Sequence, residues 1–444
     1  MFGASRALSG AAARGGATSR VLITLVLSLI GVGIASAQET LGADVPELVK
    51  ASAAAETVYV SPTGAGDRSG RNEANAMAFS TARDRMSSLS SSTVFAFVPG
   101  VYSLTSGTAL RAPSSGVLHL RGGDGVVFRG DFSYSRPESS SAGLRLRSGN
   151  VIVEGIRFEN TRNCVRAENN ATLRNVYIKD VTAKDVHSCI NIDRGLSGPI
   201  ENWTVSGLEV DGYYRVGVRL GGPNARGFNL SGLQLNGANS AGVDYCWKGG
   251  IQLYEGVSNV RLANARIVNN IGDCTDYQQG DGIEADDTGG APRNIEILNT
   301  YVGNSGDADL DMKANGVRMY NVVSAGGRGT YYNFKFWNYP DYSCEACVGA
   351  NPNWFHIILV NATARFTDAQ FYADRTVPPC DLRHRSGGRS QLILDQVWME
   401  ATEQQFRGCE SSAGGVTLGE IPADQRQVDL RPVAPEPPVL RSVN

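Results

Sequence analysis

From about residue 118 the chain alternates in short bursts of apolar and polar residues. Six segments, CINID, GVRLG, GIQLY, GIEAD, LDMK and FKFW, carry apolar side chains at every second position, with Asn- and Gly-rich stretches between them. Laid over one another, they bring Ile190, Val218, Ile251, Ile283, Leu310 and Phe334 to one equivalent position, at intervals of 24 to 33 residues. Alternate side chains of a strand share a face. The inward set is then Ile190 and Ile192, Val218 and Leu220, Ile251 and Leu253, Ile283 and Ala285, Leu310 and Met312, Phe334 and Phe336, and all are apolar. The intervening set is Asn191 and Asp193, Arg219 and Gly221, Gln252 and Tyr254, Glu284 and Asp286, Asp311 and Lys313, Lys335 and Trp337, with no aliphatic member.

A single repeat of this kind cannot bury its apolar face alone; stacking makes one continuous core. The pattern predicts an all-β solenoid, a right-handed parallel β-helix, over residues 121–430. A second strand per coil is visible in NVRLANARIVNN, RNIEILNTYVGN and GVRMYNVVSAGG. Regularity weakens after Tyr342, though WFHIILVNATARFTDAQFYA and QLILDQVWMEA still read as coils. Residues 57–120 read as an N-terminal cap with the first coils. Val58, Tyr59 and Val60 form a strand, and VFAFV forms another. Between them Phe79, Ala82, Met86 and Leu89 fall at helical spacing, with Ser80 or Thr81 as N-cap. Residues 431–444 read as a Pro-rich tail and 38–56 as a linker.

At the N-terminus Arg6, Arg14 and Arg20 precede an uncharged apolar run from Val21 to Ala35, closed by Ala35-Ser36-Ala37. This order predicts a secretory signal peptide over 1–37, hence a secreted or periplasmic protein with no membrane association after cleavage. The eight cysteines all follow that segment, so they read as disulfides, with sequential pairing the simplest connectivity. A net charge of −3 offers no basic field for nucleic acid. We expect a monomer.

Charged residues make up only 19% of the chain, yet they gather on the outward positions of the six strands. One ladder reads Asn191, Arg219, Gln252, Glu284, Asp311, Lys335; the next reads Asp193, Gly221, Tyr254, Asp286, Lys313, Trp337. Asp309 shares the outward direction of Asp311, and Asp281 and Asp307 sit in the turns leading into these strands. Carboxylates this close repel one another unless a cation or a basic neighbour neutralises them. Oxygen ligands without His or Cys suit Ca²⁺ rather than zinc. The bland alternative is a solvated face of interleaved salt bridges. Against it stand the aromatic rings beside the charges, Tyr254, Tyr331, Tyr332, Trp337 and Tyr339, which suit the C–H faces of a sugar chain. The pattern therefore predicts an acidic polysaccharide as partner, with Arg219, Tyr254, Lys313, Arg328 and Trp337 as candidate substrate contacts and Asp281, Glu284, Asp307, Asp309 and Asp311 as candidate metal ligands.

The segment YVSPTGAGD, with its following helix and VPGVY, resembles the start of pectate-lyase-like β-helix proteins. The middle of the chain resembles family 9 pectate lyases through GDGIEADD at 280–287, NSGDADLDMK at 304–313 and NFKFW at 333–337. The resemblance implies that Asp281, Asp307 and either Asp309 or Asp311 bind Ca²⁺ and that Lys335 is the Brønsted base of a β-elimination. Two departures stand out: Gly306 occupies the place of the first acid of an Asp-Asp pair, and Lys335 is followed by Phe336-Trp337-Asn338 rather than Leu-Gly-Gly. A glycoside hydrolase using two carboxylates, a uronate epimerase, and a non-catalytic carbohydrate-binding surface protein are the alternatives on the same fold.

Overall fold

The computed structural model describes residues 45–418 apart from 105, 244, 275–278, 328–329, 351–354, 373–379, 384–388, 396, 400–408 and 410–413. The expected signal peptide, the Pro-rich tail and Arg328 lie outside the described residues.

The chain is a parallel β-helix, and its strands pair in the register that the alternation predicts. Ile190 stands opposite Val218, Val218 opposite Ile251, Ile251 opposite Ile283, Ile283 opposite Leu310, and Leu310 opposite Phe334. The ladder continues to Val165 on one side and Ile357 on the other. Every residue of the inward set is buried.

One feature of the coil differs from expectation. Each coil carries three strand rows, not two. Beyond the row of the six segments there is one through Val176, Trp203, Phe228, Val260 and Ile295. The third runs through Phe158, Ala183, Val210, Leu235, Ile267 and Val302. The second and third rows are separated by one tight turn, so in sequence they merge into one apolar run. The N-terminal segment supplies first coils, since Glu56–Ser61 pairs in parallel with Thr93–Phe97 and that strand with Leu118–Arg121.

The Asn-rich turns have a physical origin. Asn269, Asn299, Asn304 and Asn321 all adopt left-handed backbone conformations (φ 62°, 46°, 54° and 50°), which Asn tolerates better than other side chains. Their amides stack from coil to coil: Asn304 Nδ2 donates to Asn269 Oδ1 at 2.7 Å, and Asn269 Nδ2 to Asn236 Oδ1 at 2.7 Å.

The open N-terminal end is covered as a solenoid requires. Helix α2 (Phe79–Met86) buries Phe79, Ala82 and Met86, and the Phe79 ring packs on Tyr102 and Phe128 at 5.3 and 5.5 Å. Its N-cap is Ala78, without a side-chain cap bond; Ser80 and Thr81 lie inside the first turn. The expected linker 38–56 contains a helix, α1 (Val45–Ala53). Its Leu48 packs on Val117 and Ile152, and Ser52 Oγ lies 2.7 Å from His119 Nδ1. Its polar surface hides in sequence the single stripe that docks it.

The cysteines pair sequentially: Cys164–Cys189, Cys246–Cys274, Cys344–Cys347 and Cys380–Cys409. Among the described residues no helix is long and apolar enough to cross a membrane.

Candidate active site

Three successive strands of the first row build the site: Asp281–Ala285, Ala308–Met312 and Tyr332–Trp337. Glu284, Asp311 and Lys335 are register partners on them. Asp281 is the first residue of its strand, and Asp307 enters from the bend just before Ala308. Carboxylate oxygens of Asp281, Asp307 and Asp311 all lie within 4.8 Å of one another. Lys335 Nζ is 2.5 Å from Asp307 Oδ2 and 2.9 Å from Asp311 Oδ2. Asp281 Oδ1 accepts the Ala308 N–H at 3.1 Å, which locks its strand to the next coil. The Cys246–Cys274 disulfide joins the two loops that lead into Gly249–Leu253 and Asp281–Ala285.

The backbone is tight behind these acids. A Cβ on Gly306 would stand 2.2 Å from the Gln279 carbonyl oxygen. The Gly306 N–H also donates to the carbonyls of Asn270 and Gly280. No side chain fits there without a shift of the backbone.

Asp309 is set apart from the group. It is fully buried and accepts from Ser324 Oγ at 2.7 Å and from the Gly326 N–H at 2.8 Å. A network of Ser324, Asn333 and His356 extends behind it. Of the two acids that the resemblance left open, Asp311 is the one that faces Asp281 and Asp307.

Glu284 lies beside the group and is held by two donors, Tyr254 Oη at 2.8 Å and Gln252 Nε2 at 2.9 Å. Gln252 in turn accepts Arg219 Nη2 at 2.6 Å and Nε at 3.1 Å. Arg219 and Tyr254 were expected to face substrate, but each is only 3% exposed. Their polar groups are engaged in a chain, Arg219 to Gln252 to Glu284, that fixes the neighbouring rung. Lys313 reaches Asp286 at 3.3 Å and the Trp337 ring at 5.9 Å, and the Lys335 ammonium lies 5.5 Å from that ring and 5.8 Å from the Tyr332 ring. These two lysines and Trp337 form the open side of the groove.

The electrostatics follow from burial and like charge. Burial, then Asp311, Asp307 and Glu284, push the Asp281 carboxyl well above its ordinary value. Burial likewise raises Glu284 and Asp307, against the Tyr254 hydrogen bond in the first case and Lys335 in the second. Burial alone would lower the Lys335 pKa; Asp311, Asp307 and Asp281 outweigh it and hold the ammonium above the usual lysine range. Lys313 behaves in the same way, with burial opposed by Asp311, Asp286 and Glu284.

Gln252 and Tyr332 also belong to this site; in sequence Gln252 stands out through its rung and Tyr332 as one of the aromatic residues beside the charges. Trp247, 43% exposed, is the other addition: its carbonyl accepts from Gln252 Nε2 at 3.3 Å. It lies in a loop with no periodicity to mark it.

No protein-family profile and no curated protein sequence matches the chain. Among solved structures it is similar to pectate lyase Pel9A, at 12% identity over 85% of this chain and 83% of that one, with a TM-score of 0.37. It is similar to the A-module of mannuronan C-5 epimerase AlgE4 from Azotobacter vinelandii, at 13% identity over 81% and 100%, TM-score 0.39. It is similar also to PfbA, a surface adhesin of Streptococcus pneumoniae, at 12% identity over 82% and 89%, TM-score 0.34. These proteins differ in what they do, so the likeness does not choose among them.

Proposed function

We propose that this chain is an exported polysaccharide lyase that cleaves a uronate-containing chain by β-elimination, with Lys335 as base. One observation carries the reading: an ammonium group clamped between Asp307 and Asp311 inside a group of three carboxylates, beside the half-buried Tyr332, Trp337 and Lys313 side chains.

The donor set fits a hard divalent cation. It is all oxygen, its members repel one another, and Asp311 Oδ1 is buried without a hydrogen-bond partner. Asp281, Asp307 and Asp311 would hold Ca²⁺. Bound there, the ion supplies charge neutralisation for a substrate carboxylate and acidifies the adjacent C5 proton.

The chain's own residues do the rest. Lys335 is kept protonated by the same three carboxylates. With those engaged by a cation, it loses the pull that holds its proton and becomes available as a base. It takes the C5 proton; the C5–H electrons form the C4–C5 double bond as the C4–O bond breaks, and the leaving oxygen keeps that bond's electron pair and takes a proton from water. Lys313 offers a second cation for a neighbouring carboxylate, and the Trp337 ring offers a face for a sugar. The Arg219–Gln252–Glu284 chain holds the adjoining rung rigid.

The test is incubation of the purified protein with pectate, alginate, glucuronan and glycosaminoglycans, with and without Ca²⁺. Ultraviolet absorbance of an unsaturated uronate end, dependent on Ca²⁺ and absent in Lys335→Ala, is the expected result. New reducing ends without that absorbance would mark a hydrolase, and altered uronate composition without cleavage an epimerase. Either outcome removes the lyase reading.

A further inference from the structure

The ladder that carries the carboxylates begins with cations. Upstream of Asn191, the same outward positions hold Arg166 and Arg145, register partners on adjacent strands. Like charges directly opposite on neighbouring strands destabilise a sheet. Both arginines line a cavity of about 230 Å³ together with Arg162, Ser140, Ser141 and Asn163.

The three arginines are not equally engaged. Arg145 Nη1 pairs with Glu168 at 3.0 Å and its Nη2 reaches the Gly107 carbonyl at 3.4 Å. Arg162 pairs with Glu138 at the rim and donates to the Ser140 carbonyl at 3.3 Å. Asp131 is tied to Ser140 Oγ at 2.6 Å. Among the described residues Arg166 has no hydrogen-bond or ion-pair partner, although it is half-buried and shares the cavity wall with two other arginines. A planar, always-charged fork in that position is suited to bidentate contact with an oxyanion.

From Arg166 the rungs run through Asn191, Arg219, Gln252 and Glu284 to Asp311. Five steps at about 4.8 Å each put the cavity about 24 Å from the carboxylate group. Both ends face the same side of the solenoid, because register partners at outward positions do.

We propose that this cavity is a remote oxyanion subsite that grips a carboxylate or sulfate ester of the same acidic glycan whose other end occupies the Asp281–Lys335 groove. It rests on the reading that the groove binds an acidic glycan. The consequence is a preference for long chains: a disaccharide filling the groove does not span the distance, whereas a polymer engages both places.

The experiment uses the full chain carrying Lys335→Ala, so that substrate is not consumed, with and without Arg166→Ala or Arg145→Ala/Arg166→Ala. Affinity electrophoresis measures retention in pectate, alginate, glucuronan and heparin gels, and calorimetry measures binding of the matching uronate disaccharide. The expected result is about ten-fold weaker retention by the polymer on losing Arg166, as for one charge-assisted contact, with disaccharide affinity changed less than about two-fold. Arg166→Lys should recover only part of the loss, since it keeps the charge but not the fork. Unchanged polymer retention in the double variant, with an unchanged circular-dichroism spectrum, overturns the proposal, as does failure of the unsubstituted-arginine protein to bind any of the four polymers. Competition by inorganic sulfate with no dependence on chain length marks a free-anion site and overturns the chain-borne assignment. Arg166-dependent polymer retention without lyase turnover in the wild type would leave this subsite standing while removing the lyase reading. Lys335-dependent turnover with retention insensitive to Arg166 would do the reverse.

Discussion

Two charged ladders run along this solenoid, and they obey different rules. On the second strand row Arg174, Glu201 and Arg226 are successive partners. They form ion pairs of 2.7 and 2.8 Å with the arginine side chains 53% and 57% exposed. Signs alternate, water surrounds the cations, and each charge is compensated by the next rung. Such pairs contribute about 0.2–1 kcal/mol each. On the first row Glu284 and Asp311 are neighbours of the same sign, joined by Asp281 and Asp307 and nearly closed to solvent. That arrangement works against folding, and only a basic neighbour or a cation relieves it. A solvated salt-bridge ladder is thus present in this protein, but on a different face. What separates a structural ladder from a chemical one is sign alternation together with burial.

The largest expected effect belongs to the first-row ladder. Lys335→Ala should lower turnover on the best substrate by about a thousand-fold, the scale of a lost general base; a steady-state assay of unsaturated ends that shows full activity would remove Lys335 from the chemistry. Next, Tyr254→Phe should cut turnover by about ten-fold, because Glu284 loses one of its two donors. That loss should appear in kcat more than in KM, since Tyr254 is buried below the groove.

Stability gives a smaller but sharper contrast. Asp281, Glu284 and Asp307 all have raised pKa values, with burial the leading cause. The folded chain therefore keeps protons that the unfolded chain has already released. Its stability falls as pH rises from the ordinary carboxylate range through the raised values. Lys335, also raised, has the same slope in a higher window: its contribution is fully present at neutral pH and is lost only as pH rises above the usual lysine range. In chelator, the denaturant midpoint should fall across the first window, and Ca²⁺ should flatten that fall. Asp281→Asn keeps an acceptor for the Ala308 N–H but removes a charge, so it should stabilise the chelated protein by about 1 kcal/mol and abolish most of the Ca²⁺ response. If the midpoint rises with pH instead, the carboxylate group is not strained in the way described.

The smallest effect should come from the second row. Glu201→Gln breaks the pairs to Arg174 and Arg226 and should cost about 1 kcal/mol or less, with turnover unchanged. A loss of activity there would erase the distinction between the ladders.

Much of this is legible in the sequence. Period-two alternation in six segments named both the inward stack and the outward ladder, because a strand has only two faces and a one-residue slip would invert every side chain. The cysteines pair in chain order, the simplest connectivity that the sequence offers. The third strand row was not legible: a tight turn between two strands of one apolar run leaves no break in periodicity. Nor was helix α1, whose docking stripe is little more than Leu48 and Ser52.

For the site, sequence determined which residues share a face; it did not determine depth. Arg219 and Tyr254 alternate outward like Lys335, yet they are buried: the Arg194 guanidinium stacks on the Tyr254 ring at 3.7 Å, and Gln252 and Asp193 take the Arg219 guanidinium, contacts that no period in the sequence announces. Asp309 and Asp311 have the same parity, and only packing against Ser324 and Gly326 turned one away and left the other facing Asp281 and Asp307. Gly306 showed the same division: sequence recorded a missing acid, while the Gln279 carbonyl beside it showed how little room a side chain has there. Local alternation is fixed by backbone geometry and is written in the chain. Burial, and with it the sign and size of every pKa shift in the groove, depends on what neighbouring coils bring from 20 to 35 residues away, about one coil length, and that only the folded stack decides.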